Sequence, residues 1–344
     1  MIARIMAVCL LVLGFACVAF PATTRQSAPA GPATPISVVV SIPPLKGIVA
    51  ELGKDLKIEV QTLIPVGVSE HGYEIPASKF RALAKADIIV YVGRGLEPGL
   101  VKYLNDHPAT ADAARGVGSV ERVEFSSLVT DQPVRPDEPQ APGADARDHD
   151  HGDHDHAGHE HDPHIWLDPL NMKKLVPAVR GAIERVLKSR GEYSIQAKQS
   201  LDEAESGLLK RIEDLHERYE KTLASAKTRT IVVAHDAYGL LACRYDLRVV
   251  AIAGLHASEP TMKDVKRAID SIRSKDASVV YVEPQLSRSA GERVAKATGA
   301  RVLVLDPVGG DDWFETMKKN LESLASGLGA TLADDAQTEQ PGKP

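Results

Sequence analysis

Apolar positions along the chain alternate between two periods. Short, β-branched runs at Ile36 to Val40, Lys57 to Leu63 and Asp87 to Val92 read as strands, the first closed by Pro43-Pro44. Between the second and third, Ala77 to Ala86 has helical spacing through Phe80, Leu83 and Ala84. The alternation returns after Arg229. Thr230 to Ala234, Arg248 to Ala253, Ser278 to Val282 and Arg301 to Leu305 read as strands, with helical segments near Tyr238, Lys263, Ala290 and Glu315. Strands that alternate with helices build parallel βαβ units. The expected fold is therefore α/β, with two domains carrying parallel sheets.

The longest regular pattern lies between them. Ala197, Leu201, Ala204, Leu208, Ile212, Leu215, Tyr219 and Leu223 recur at steps of three or four. They form one apolar stripe on a helix of about 30 residues, roughly 45 Å long. The stripe fits a coiled-coil partner or a helix packed along both domains of its own chain. Upstream, Asp168-Pro169 reads as an N-cap followed by proline at the first helical position. The expected organisation is an N-terminal domain over 36–190, a connecting helix over 191–226 and a C-terminal domain over 227–330.

Four stretches depart from this pattern. Arg4 followed by the apolar run Met6 to Phe20, then Ala22 and Thr23, reads as an export signal over 1–22. The run is short for a membrane span, which needs about 20 residues. A flexible leader, 23–35, would follow it, and 331–344 would be a polar tail. Cys17 lies in a poor match to a lipoprotein cleavage site, and Cys243 would remain the one cysteine of an exported, periplasmic chain. The fourth stretch, 131–162, is dense in Pro, Asp, Gly and His without apolar periodicity, and is expected to be disordered.

Bulk composition matters less. A formal net charge of -6 argues against a nucleic-acid surface. Histidine matters through its placement, with seven of 12 between His149 and His164. Other polar residues mark strand ends: His235 and Asp236 follow one strand, Asp306 follows another, and His71 lies in the loop after the second. Ligands of open parallel sheets bind beyond the carboxyl ends of strands. Three imidazoles, His71, His164 and His235, with the carboxylate of Asp306 make a donor set suited to zinc, whereas manganese favours more oxygen.

Four ordered motifs carry a resemblance. Ser69-Glu70-His71-Gly72-Tyr73, then Asp162-Pro163-His164-Ile165-Trp166-Leu167-Asp168-Pro169, His235-Asp236-Ala237-Tyr238 and Leu305-Asp306-Pro307 together resemble the zinc-specific branch of the metal-binding proteins of ABC importers, the ZnuA type, over residues 36–328. The resemblance implies two (βα)4 domains with parallel sheets joined by one long rigid α-helix, and a metal held in the interdomain cleft. It implies His71, His164, His235 and Asp306 as ligands, with Glu70 or water the alternatives for the fourth position. It further implies a high-affinity, monomeric zinc-capturing subunit. Its partner would be a membrane permease with a cytoplasmic ATPase. The histidines from His149 to His161 would be an auxiliary, weaker collector. His256 could line the cleft, and Glu283 could support the site without touching metal. The alternatives are a metal-binding surface adhesin and a zinc-dependent hydrolase. Against an enzyme, the chain has no His-Glu-x-x-His pair and no nucleophile elbow.

Overall fold

In a computed structural model of the chain, residues 34–108, 119–129, 162–275 and 277–333 are described. The export signal, most of the leader, Cys17, the histidine-rich run and most of the tail lie outside them. The first sheet is built from β1 (Ile36–Val40), α1 (Pro43–Leu52), β2 (Ile58–Thr62), α2 (Ala77–Leu83), β3 (Ile88–Tyr91), α3 (Pro98–Asp106) and β4 (Glu121–Glu124). Its strands are all parallel, in the order β2-β1-β3-β4. A short 3-10 turn at Ile165–Leu167 leads into α4 (Pro169–Ser189) and α5 (Ile195–Ala224). The second sheet comes from β5 (Thr230–His235), α6 (Gly239–Arg244), β6 (Arg248–Ala253), α7 (Met262–Lys275), β7 (Val279–Val282), α8 (Ser289–Thr298), β8 (Arg301–Val304) and α9 (Trp313–Leu328). It repeats the first topology as β6-β5-β7-β8, again all parallel.

Three elements, α1, α3 and β4, escaped the pattern, α1 and β4 for evident physical reasons. Pro43-Pro44 does close β1, but it also occupies the first positions of α1, where a missing N–H costs nothing. Strand β4, Glu121-Arg122-Val123-Glu124, buries only Val123. As an edge strand it needs no apolar alternation to pair with β3.

Every residue of the predicted stripe on α5 is buried, from Ala197 to Leu223. The helix starts where the Ser194 side chain caps the Ala197 N–H. It packs against α1 and α4 beside the first sheet and against α9 beside the second. The chain itself covers the stripe, and a coiled-coil partner is not needed for it.

Polar bonds tie the two halves together near the loop that precedes α4. Asp168 caps α4 through the Leu170 N–H and is also gripped by Arg244 of α6, with Nη2 2.7 Å from Oδ2. The Trp313 Nε1 donates to the Trp166 carbonyl at 3.0 Å. Tyr219 on α5 donates to the Met317 carbonyl of α9 at 2.6 Å. Gly47 on α1 lies so near the Asp311 carbonyl oxygen that a Cβ there would overlap it.

Candidate metal centre

In both sheets the order in which the chain adds strands reverses at the middle, between β1 and β3 and between β5 and β7, and both present loops there. In the second sheet, His235 is the last residue of β5 and Glu283 directly follows β7. From the first half come Glu70 and His71, in the loop after β2, and His164, just before the 3-10 turn. Among the described residues, Glu70, His71, His164 and His235 form one group able to hold a metal ion, each offering a ligand atom within 4.8 Å of the others. Glu70, His164 and His235 are buried, and His71 keeps 7% of its side chain exposed.

Carboxylates orient two of the rings. His164 Nδ1 lies 2.8 Å from Asp162 Oδ1, which also accepts the His164 backbone N–H. His235 Nδ1 lies 2.8 Å from Glu283 Oε1. With each Nδ1–H donated to a carboxylate, each neutral ring turns a bare Nε2 lone pair inward. Those Nε2 atoms are 3.3 Å apart, and His71 Nε2 is 3.1 Å from that of His164. Four donors at about 2.0 to 2.1 Å around a tetrahedral zinc would stand roughly 3.3 Å from one another. Glu70 Oε1, buried and without a hydrogen-bond partner, is 3.7 Å from His164 Nε2 and 4.0 Å from the other two. Converging lone pairs and an orphaned carboxylate oxygen are costly unless a cation joins them.

The protonation pattern follows from burial. Burial and then the neighbouring imidazoles hold His71 down to about 3, and burial with His164 holds His235 down to about 4. Burial also lowers His164, but the Asp162 bond and charge, helped by Glu70 and Glu283, outweigh it and leave His164 above its ordinary value. Burial raises Glu70, against the pull of His164 and His235. Burial likewise pushes Glu283 up to about 8, opposed by the His235 backbone N–H.

The three predicted histidines are thus brought together, and the fourth member of the group is Glu70, the alternative, and not Asp306. Asp306 Oδ1 accepts from Gln285 Nε2 at 2.8 Å, Val308 N at 3.1 Å and Gly309 N at 2.6 Å. Those bonds commit that oxygen to the turn it opens after β8. Glu283 supports His235 as anticipated, and the exposed His256 ring lies 5.8 Å from that of His71. Two supporting residues went unrecognised in the sequence. Asp162 sits inside a motif singled out for its histidine, and a carboxylate two residues before a ligand candidate was a readable signal. Arg94 had a weaker one, its flanking glycines. Gly93, Arg94 and Gly95 all have positive φ, 52° at Arg94. The buried Glu97 carboxylate holds this loop through the Val92 and Gly93 N–H groups. From it Arg94 donates to the carbonyls of Val129, at 3.0 Å, and Asp162, at 3.1 Å.

Against known families, residues 38–327 match the model described as zinc-uptake complex component A, periplasmic, or ZnuA. The chain belongs to the ZnuA family. Family members are metal-binding components of transport systems. The zinc-binding lipoprotein AdcA of Streptococcus pneumoniae is 25% identical over 300 residues, which cover 82% of this chain and 55% of AdcA. The chain thus spans about half the length of such curated relatives. Its fold is shared with a crystal structure of ZnuA, with a TM-score of 0.69 at 23% identity, covering 86% of this chain and 100% of that one. It is also shared with the periplasmic zinc binding protein TroA of Treponema pallidum, with a TM-score of 0.67 at 19% identity, covering 86% and 99%. Among the described residues no helix is long and apolar enough to cross a membrane.

Proposed function

We propose that this ZnuA-family chain captures zinc with high affinity in the periplasm and delivers it to the permease of an ABC-type importer. Its proposed ligands are His71, His164, His235 and Glu70. The observation that carries the reading is the set of imidazole Nε2 atoms converging on the unpartnered Glu70 oxygen at spacings near those of a tetrahedral ion. Three nitrogens in a four-donor set favour zinc over manganese. Four protein donors also leave no open position for an activated water, so the arrangement suits holding and release better than hydrolysis. Asp306 then serves behind the site, bonded to Gln285. The run from His149 to His161 is assigned the auxiliary role, a set of weaker sites that lose metal first as imidazoles protonate.

Competition titration of the purified chain, with and without residues 145–161, tests this. One tight zinc site that discriminates against manganese should survive the deletion, while total zinc bound falls. A tight site that vanishes with the deletion, or that holds manganese equally well, would overturn the assignment.

A further inference from the structure

Among the described residues, the His71 ring has three imidazole neighbours, not two. His164 and His235 flank it with ring centres 5.1 and 5.2 Å away, and His256 stands on a further side at 5.8 Å. These rings form a gradient of exposure. His256 is exposed, His71 keeps a small exposed edge, and His164 and His235 are buried. The placement is set by the fold. Ala253, the last residue of β6, is the register partner of His235, so the loop that leaves β6 begins beside the cluster. A turn closed by the Ala257 N–H on the Gly254 carbonyl, with Ala257 at φ 50°, then carries His256 over His71.

The spacing has chemical meaning. Zinc about 2 Å from one nitrogen of each of two imidazoles puts their ring centres roughly 5 Å apart. The two buried neighbours of His71 already stand at that distance, and His256 is within a small ring movement of it. An ion leaving a closed set of four donors must lose them one at a time, and each bare intermediate is costly unless another donor replaces the lost one. Among the described residues, His256 is the imidazole positioned to do so on the solvent side.

From this geometry we infer that His256 is an exchange ligand. With His71 and water it holds a zinc-like divalent cation transiently at the mouth of the cluster, both inward and outward bound. The inference rests on the reading of the buried cluster as a zinc site. Because the intermediate is not the end state, a donor acting this way speeds association and dissociation alike and leaves the equilibrium affinity unchanged.

The test uses the full chain and zinc alone, with stopped-flow association, dissociation into a chromophoric chelator, and equilibrium competition. His256→Ala should slow both rates several-fold at unchanged affinity. His256→Phe, which keeps a ring beside His71 but has no donor nitrogen, should behave like alanine. His256→Asp, which restores a donor, should recover most of the rate. Rates equal to those of the parent in the alanine variant would overturn the inference. So would faster dissociation with weakened affinity, since His256 would then be a ligand of the resting site. A phenylalanine variant as fast as the parent would make His256 a mere packing partner. Failure of the underlying reading looks different. In that case the parent itself has no tight zinc site, or His164→Ala retains it.

Discussion

The indole Nε1 of Trp166 donates to the carbonyl oxygen of Pro307 across 2.6 Å, joining the loop that carries His164 to the loop that follows β8. Both groups are buried, and Trp166 is fully so. The Trp313 indole returns a bond to the Trp166 carbonyl. The segment that presents the fully buried His164 imidazole therefore belongs by sequence to the first half and is fastened by bonds to the second.

Trp166→Phe should keep most of the packing but leave the Pro307 carbonyl without its donor, at a cost of about 1–3 kcal/mol. The expected result is a lower melting temperature in metal-free protein and faster zinc dissociation. Melting curves and release rates matching the parent would mean that this joint does not hold the site.

The order of severity among the acidic residues is a sharper test. Partners that merely support a metal ligand cost about 10–100-fold in affinity, so loss of a ligand should exceed roughly 100-fold. Glu70→Gln and His164→Ala belong in the second class, and Asp306→Asn in the first. Should competition titration show Asp306→Asn to be the more damaging carboxylate change, the fourth donor is Asp306 in the metal-bound state.

Arg94 offers a substitution that separates support from stability. Its φ of 52° is one that glycine adopts freely, so Arg94→Gly relieves backbone strain while deleting the guanidinium that holds the Asp162 carbonyl. Zinc affinity should fall about tenfold with little change in metal-free melting. Combined with Asp162→Asn, the losses should be less than additive, because both act on His164 through the same residue. Fully additive losses would place Arg94 outside this chain of contacts.

Zinc binding should release few protons. His71 and His235, held near 3 and 4, are already neutral above pH 5, whereas the raised His164, and Glu70 where its raised value keeps it protonated, must each lose a proton. Affinity should therefore drop as pH falls from 7 to 5, by about tenfold per pH unit for each proton displaced, with one or two displaced per zinc. Competition titrations across that range give the number directly. Three or more would show that Glu283, pushed up to about 8, or the flanking imidazoles also give up protons there.

Much of this molecule was legible along the chain because its periods are local. Strand β5 and the α5 stripe follow from which neighbours are apolar, and Asp168-Pro169 starts α4 as its residue types require. The histidines at strand ends could be named for the same reason, since a parallel sheet puts its loops at one edge. Which carboxylate completes the group could not be read this way. Glu70 and Asp306 each lie in a matching motif after a strand, and only the fold shows Asp306 Oδ1 taken by three donors while Glu70 Oε1 stays open toward the imidazoles. The hold of Arg94 on Asp162 is likewise invisible in sequence. It joins residues 68 positions apart, and no local pattern records a bond whose partners meet only when the chain has folded.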